Sequence, residues 1–467
     1  MIVSGRRTIR RPLFVGGRET AATVLILVLL LVLEACSWPS PPLPSPPSDQ
    51  RFSELKKKIV QIRGLSLKHD VSLSKARGPL PNGILQEEYE VEKVDRLARV
   101  YKRLGFLAES TDFAKALVDY SRFERTAAYD SRTTSIVVAP EASRLGRALA
   151  GDTGGHFREI PIAFALTQAL QAQHFNWQEK LVTASLENRR LAMRALAKGD
   201  AVLMGLNYSY QGTQFAKRQE HAQAIGRLAA ELEKLGSELP ELLRQKWVFP
   251  YRQGSQFVWW AYAAQGWNGV NALFADPPVS TSQILHPEKY YLQRQEPVAI
   301  IPWGLIRQLK AAPVIEQTFG EALVQVPLVS RYSRKESEQI ASGWSDDRLL
   351  VYAEGDRLIT VWLSAWSNNQ SATRFFRAYQ NVLQSHYRAR FRTLAGRDGS
   401  LHLENPAGDA VVLQHRGSVV LLLDGTSLPR ALDLAEAIWN DLEVGTEPIV
   451  MPLDSAQRRL QPPRRSR

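Results

Sequence analysis

The chain has 467 residues, enough for two or three domains with sizeable cores, and its 44% hydrophobic and 23% charged content is typical of a globular protein. The formal net charge is +12, of which the first 36 residues carry +3 and the last 14 carry +4. Because the basic residues are concentrated at the two ends, they indicate topology signals or tails. A nucleic-acid-binding body is not expected.

The first 36 residues are predicted to be a signal peptide. Arg6, Arg7, Arg10 and Arg11 precede an apolar run of 13 residues, Ala21–Leu33, interrupted only by a threonine. A bilayer span needs about 20 such residues, so the run is short for a transmembrane helix. Its length and its basic flank are typical of a secretory signal.

The apolar run ends at Cys36, the only cysteine in the chain. The segment LEAC resembles the lipobox of bacterial lipoproteins, although Glu34 stands where that pattern usually has a small uncharged residue. The resemblance implies that Cys36 carries lipid and that a membrane is a partner. Ser37 in place of aspartate implies the outer membrane, facing the periplasm, if the source is Gram-negative. An uncleaved anchor helix with an incidental cysteine is the alternative.

Residues 37–51 are predicted to be a proline-rich linker. Six prolines occur in the nine residues from Pro39 to Pro47, which favours a stiff, extended spacer. Together with a lipid anchor, such a spacer would hold a folded body away from a membrane surface. No cysteine follows, so a disulfide cannot stabilise that body and its stability must come from packing.

Residues 52–342 are predicted to form a mostly helical body with a small sheet. In EKVDRLARVYKRLGF (Glu92–Phe106) the apolar residues recur at spacings of three and four, which predicts an amphipathic helix that stops at Gly105. The other predicted elements are a strand at 133–140, helices at 160–175, from 178 to about 198 and at 215–236, helices joined by Gly and Pro loops within 249–291, and a strand at 296–303.

Residues 343–453 are predicted to form a smaller α/β module, called here the C-terminal module. Two hairpin strands at 348–355 and 357–366 are followed by a helix at 368–384, a strand pair at 410–425 that turns at Arg416–Gly417, and a closing helix at 428–442. Residues 454–467 are predicted to be a basic disordered tail. The fold class expected is α+β, and the body and the module are expected to have separate cores.

The helix IPIAFALTQALQAQHF has the spacing of a zinc-protease helix without its chemical groups. Such a helix carries two histidines four residues apart and a glutamate beside the first, and a third ligand comes from a following helix. In this chain Phe164 stands at the first histidine position, Ala165 at the glutamate and Gln168 at the second histidine.

The flanking residues carry a more specific resemblance. ALTQALQAQHF and ALAKGDA (Ala195–Ala201) are similar to HELTHALQDQHF and ALVEGDA, motifs of bacterial secreted or lipid-anchored proteins with a gluzincin-like (peptidase MA-like) zinc metallopeptidase domain. The segments RGL (63–65), ADPPVSTSQILHPEKY (275–290) and GWSDDRLLVY (343–352) extend the resemblance, which covers about residues 52–445. It implies a gluzincin-like body, and it puts Lys198 at the third zinc ligand.

All four positions therefore lack the groups that zinc catalysis needs. Phe164 and Ala165 cannot bind a metal, and Gln168 is a poor ligand. An ammonium such as that of Lys198 about 4 Å from a dication is repelled by roughly 8 kcal/mol at an effective dielectric of about 20. We expect no bound metal, no other cofactor and no catalytic residue at these positions.

Two functions from different classes fit the sequence. The first is a lipid-anchored pseudoenzyme whose groove, with His174, His286 and Tyr290 as candidate lining residues, binds a peptide, a protein or a glycan. Several of the eleven tryptophans would suit such a groove, although core packing is the alternative for each of them. The second is an active hydrolase or peptidase with a non-standard site. Zinc content would separate the two.

Overall fold

The computed structural model describes residues 49–75, 91–124, 127–138, 142–150, 157–184, 186–210, 218–394 and 399–445. The predicted signal peptide with Cys36, most of the predicted linker and the basic tail lie outside these residues. Among the helices described, none is long and apolar enough to cross a membrane.

The helices are α1 (Asp49–Arg63), α2 (Val91–Arg103), α3 (Phe113–Glu124), α4 (Ala142–Ala150), α5 (Ile160–Phe175), α6 (Trp177–Thr183), α7 (Glu187–Ser209), α8 (Arg218–Leu235), α9 (Glu241–Ala275), α10 (Thr281–Leu285), α11 (Pro287–Tyr291), α12 (Trp303–Leu309), α13 (Gly320–Val324), α14 (Arg334–Ala341), α15 (Asn369–Tyr387) and α16 (Leu428–Asn440). The strands are β1 (Ser72–Lys75), β2 (Ala127–Asp130), β3 (Ser135–Val138), β4 (Ala299–Pro302), β5 (Ile315–Gln317), β6 (Trp344–Glu354), β7 (Arg357–Trp366), β8 (Arg392–Leu394), β9 (Ser400–Glu404), β10 (Asp409–Arg416), β11 (Val419–Ser427) and β12 (Leu442–Gly445).

Two helices, α6 and α7, replace the single helix predicted from Gln178. Ala184 and Leu186, between them, have extended backbone dihedrals. The second helix begins at Glu187, which is buried and lies 2.7 Å from the Nζ of Lys246. The new helix thus starts at a tertiary ion pair, which the local sequence does not reveal.

The helices α7 and α9 form the centre of the body. They approach closely where glycines face each other: a Cβ added to Gly199 would lie 2.3 Å from the carbonyl oxygen of Gly254. The run 249–291 was predicted to contain helices joined by loops, and its first part lies in α9. That helix contains Pro250 and is interrupted at Gly266, whose φ of 60° breaks the helical backbone.

The described residues form three sheets. A small sheet in the body has the order β1-β3-β2, with β1 parallel and β2 antiparallel to β3. The large sheet has seven antiparallel strands in the order β5-β6-β7-β11-β10-β9-β8, and it contains both predicted hairpins. The third sheet pairs β12 with β4. A mostly helical first part followed by an antiparallel sheet confirms the α+β fold class.

The expectation of separate cores is wrong. Strand β5 belongs to the predicted body, yet it pairs with β6 of the C-terminal module, with Ile315 opposite Val351. Phe319 stacks on Phe106 at 4.2 Å between ring centroids and meets Trp362 of β7 at 5.3 Å. The physical reason is that β6 and β7 carry apolar residues on both faces. Other helices of the body and α15 of the module cover one face, while α12 of the body and α16 of the module cover the other.

Candidate functional site

The helix with the zinc-protease spacing, α5, is present as predicted over Ile160–Phe175. Pro161 lies in its first turn, where the missing amide hydrogen is tolerated, and the helix ends at Asn176 in the left-handed conformation. Its residues from Ile160 to Leu170 are buried on almost every side, apart from the partly exposed Gln168. Burial all round is expected for a core helix.

Helix α5 packs antiparallel on α7, with the Phe164 ring placed directly on Gly205. A Cβ at Gly205 would lie 2.3 Å from the Cε1 atom of that ring. Further along α5, Gln171 donates to the carbonyl oxygen of Ala197 at 3.0 Å and to Oδ2 of Asp200 at 2.9 Å. Later residues of α5 therefore meet earlier residues of α7, and the Phe164 ring occupies the space above the glycine.

The remaining zinc-motif positions have structural contacts. Ala165 is fully buried. The Oε1 of Gln168 accepts a hydrogen bond from the backbone N–H of Tyr129 on β2, at 3.3 Å. The ammonium of Lys198 lies 5.2 Å from the centre of the Tyr251 ring on α9, within cation–π range.

Phe164 and Lys198 lie at different levels of the α5–α7 contact. Gly205, on which Phe164 packs, is seven residues beyond Lys198, or about 10 Å along the axis of α7. Gln168 lies between these two levels. Within the described residues, no group of three or more His, Cys, Asp or Glu side chains is arranged to hold a metal ion.

A buried charged network lies beside these positions, at the motif residues Arg63 (RGL) and Asp200 (GDA). Their side chains are 1% and 0% exposed, and the Arg63 Nε lies 3.2 Å from Oδ1 of Asp200 without hydrogen-bond alignment. The Arg63 Nη1 donates to Asn271 at 2.7 Å, and the guanidinium lies 4.5 Å from the centre of the Trp267 ring. The network ties α1, α7 and α9 together, so these two motif residues have a structural role.

The three candidate groove residues do not converge. His174 lies 2.7 Å from the carbonyl oxygen of Ser66 through its Nε2. The buried Tyr290 donates from its hydroxyl to the carbonyl oxygen of Asp276 at 2.5 Å. His286 instead pairs through Nε2 with Oε1 of Glu321 at 2.6 Å.

The buried Glu321 carboxylate also accepts from the hydroxyl of Ser282 at 2.7 Å, so that it separates the serine from the histidine. A serine nucleophile needs a histidine base within direct hydrogen-bond reach, with a carboxylate behind the histidine. Here the carboxylate stands in the middle. Lys289 donates to the same serine oxygen at 2.7 Å, which is the geometry of a structural network.

A cavity of about 370 Å³ opens where α6, α7, the loops around β4 and strand β6 meet. Its lining combines charged, polar and apolar side chains. The lining residues are Lys180, Thr183, Ala184, Leu186, Asn188, Arg189, Met193, Ala275, Pro277, Val279, Glu296, Pro297, Val298, Thr318, Asp346 and Arg348. None of the zinc-motif positions and none of the candidate groove residues lines it.

Two charged residues of β6 form the buried wall of this cavity. Asp346 is 7% exposed and accepts a hydrogen bond from the N–H of Asp347 at 2.8 Å. Burial, together with the negative charge of Asp347, raises the pKa of Asp346 well above its usual value. Arg348 is 2% exposed and pairs with Glu316 on β5. Its Nε has no hydrogen-bond partner among the described residues.

The neighbouring Asp347 faces away from the cavity and has a different role. Its carboxylate accepts four N–H groups: the backbones of Phe319 and Gly320 at 2.8 Å, the Trp344 indole at 3.0 Å and the Trp362 indole at 3.1 Å. Such a fully bonded carboxylate fixes the loop after β5 against the sheet.

Comparison with known proteins identifies only part of the chain. Residues 308–435 match a family described as a domain of unknown function, DUF8575. The match begins before the predicted boundary at 343, so it includes β5 as well as Asp346 and Arg348, but it contains none of the zinc-motif positions. No curated protein and no solved structure shows significant similarity to the chain.

The sequence analysis missed the residues of this cavity. Two of them, Asn188 and Arg189, lie on α7, whereas Asp346 lies far later in the chain on β6. No short motif links the two elements. One local signal was available in GWSDDRLLVY, where two aspartates and an arginine interrupt an apolar strand pattern. Charges within a buried strand indicate either ion pairing or a site; here Arg348 pairs with Glu316, and Asp346 lines the cavity.

Proposed function

We propose that this chain is a membrane-anchored envelope lipoprotein whose metallopeptidase-like body is catalytically inactive and acts as a binding or scaffold module. The observation that supports it is the packing of Phe164 on Gly205. At the position of the first zinc ligand there is an apolar ring in van der Waals contact with α7. Gln168 accepts a hydrogen bond from the β2 backbone, and the positive charge of Lys198 would repel a metal cation.

An active hydrolase or peptidase with a non-standard site is the alternative function. Its best candidate within the described residues is the cluster of Ser282, Glu321 and His286. The direct contacts of that cluster run from Ser282 to Glu321 and from Glu321 to His286. Lys289 donates to Ser282 and also lies 3.7 Å from the Glu321 carboxylate, so this arrangement does not activate the serine. A binding role therefore accounts for more of the geometry.

Metal content of the purified full-length chain tests the proposal. We expect far less than one zinc per chain in the natural protein. The variant Phe164→His, Ala165→Glu, Gln168→His, Lys198→Glu restores the motif residues. Its two imidazoles, one turn apart on α5, are expected to bind zinc, although position 198 lies about 10 Å along α7 from the level of position 164. A matched control, Phe164→Ala, Ala165→Glu, Gln168→Ala, Lys198→Glu, has the same charge without the imidazoles and is expected to bind none. Zinc near one per chain in the natural protein would refute the inactive assignment.

A further inference from the structure

We propose that the cavity lined by Arg189, Asp346 and Arg348 binds a terminal carboxylate that is joined to an apolar side chain. Two sources share this chemistry, the C-terminal residue of a peptide and a free apolar amino acid. The inference deepens the binding role proposed above, because it names a site and a ligand class. It does not depend on the fate of the zinc motif.

Three polar side chains of the lining have donors available to a ligand. Arg189 is half-buried and forms no ion pair within the described part of the chain. Lys180 uses one of its three N–H groups on the carbonyl oxygen of Phe274, at 3.0 Å. The Oδ1 of Asn188 already accepts the backbone N–H and the hydroxyl of Thr281, both at 2.8 Å. Its amide nitrogen is thus the group left for a ligand.

Arg348 lies deeper in the wall than these donors. Its guanidinium pairs with Glu316, and its Nε is enclosed by protein without a hydrogen-bond partner among the described residues. That N–H is not open to the cavity, so the donors that a ligand can reach are those of Lys180, Arg189 and Asn188.

The charge balance favours a monoanion over a phosphate dianion. Arg348 is neutralised by Glu316, which leaves Lys180 and Arg189 against the exposed Glu296 at the rim. Burial disfavours the charged form of Asp346, which shifts the charge balance of the lining toward the positive. The raised pKa of Asp346 favours its protonated form, in which the carboxyl group donates a hydrogen bond to a carboxylate.

The rest of the lining is apolar and fits a side chain of moderate size. Leu186, Met193, Pro277, Val279, Pro297 and Val298 surround the polar groups. A volume of about 370 Å³ lies near the lower end of the range for small-molecule sites, about 300–1,000 Å³. A leucine-sized group with its carboxylate matches this combination of size and polarity.

The cavity is separate from the zinc-motif positions. Arg189 and Lys198 are nine residues apart on α7, which corresponds to about 900° of helical rotation, so they project from opposite sides of the helix. Loss of zinc chemistry at Lys198 therefore leaves the cavity at Arg189 intact, and each site can be tested without the other.

Isothermal titration calorimetry on the detergent-purified full-length chain tests the proposal with three probes. These are the peptide Ala-Ala-Ala-Leu, the same peptide with an amidated C-terminus, and free leucine. Binding of the free-acid peptide, of leucine or of both supports the site, and the tighter of the two identifies the source of the carboxylate. Equal binding of the amidated peptide, or a Kd weaker than about 1 mM for both carboxylates, would overturn the proposal.

Single-residue variants test whether the binding occurs in this cavity. Arg189→Gln should weaken the tighter carboxylate probe about 10-fold or more, because a charge-assisted hydrogen bond is lost. Arg252→Gln, a matched change at an exposed arginine of α9, should leave the affinity unchanged. Asp346→Asn keeps an N–H donor and should retain the affinity within about 3-fold. A loss of more than about 10-fold in Asp346→Asn would mean that the aspartate acts as an anion, which would overturn the carboxylate assignment.

Discussion

Removal of the buried Asp200 carboxylate tests how the body is held together. Asp200 faces Arg63 and Gln171, and both charged side chains are almost completely buried. In Asp200→Ala the arginine keeps its hydrogen bond to Asn271 and its contact with Trp267, but it loses its counter-charge. The result is an uncompensated charge in the core.

Breaking a buried ion pair by removing one partner lowers the free energy of unfolding by about 3–5 kcal/mol. Because some contacts of Gln171 and Arg63 survive the substitution, we expect a loss of unfolding free energy at the lower end of this range. Gln171 retains the carbonyl oxygen of Ala197 at 3.0 Å, and Arg63 retains Asn271 at 2.7 Å. We therefore expect Asp200→Ala to lower the unfolding free energy by about 3 kcal/mol. The double variant Arg63→Met, Asp200→Leu should lose less, because no charge is left buried.

Equilibrium urea unfolding of the purified chain, followed by tryptophan fluorescence, measures these differences. Asp70→Ala is the control, since Asp70 also pairs with a cation, at 2.6 Å from Lys56, but its side chain is 84% exposed. That variant should change the unfolding free energy by about 1 kcal/mol or less. If Asp200→Ala behaved like Asp70→Ala, or if the double variant lost as much unfolding free energy as Asp200→Ala or more, the buried pair would not have the role assigned to it.

Two further predictions concern pH and anchoring. Burial alone would raise the pKa of Glu187, but Lys246 and Arg190 outweigh it and hold that pKa at about 2, below the usual 4.5. Because the folded-state pKa is the lower one, ionised Glu187 adds about 3 kcal/mol to the free energy of unfolding above pH 4.5, and this contribution is lost as the pH falls toward 2. Urea unfolding midpoints measured at about pH 5 and pH 3 should show the loss, and Glu187→Gln should remove this pH dependence. Cys36→Ser should abolish lipidation and leave an uncleaved or soluble species, and a variant that fractionates and migrates like the natural protein would contradict the lipoprotein prediction.

Much of the secondary structure could be predicted because its signals are local. The amphipathic pattern from Glu92 predicted α2, and the turn at Arg416–Gly417 predicted the β10–β11 pair. The prediction of α5, the helix with the zinc-protease spacing, was also correct, because a run of apolar residues with proline in the first turn is sufficient to indicate a helix. These elements depend on neighbours within a few residues along the chain.

Residue identity and spacing were sufficient to predict the α+β class and the positions of most helices and strands, and to show that the motif lacks zinc ligands. Three features became visible only in the folded chain: β5 completes the sheet of the C-terminal module, Arg63 pairs with Asp200, and Arg189 and Asp346 line one cavity. These partners are separated by between 30 and 160 residues. Long-range pairing depends on how whole faces of helices and strands pack to remove apolar surface from water, and no local pattern encodes that outcome.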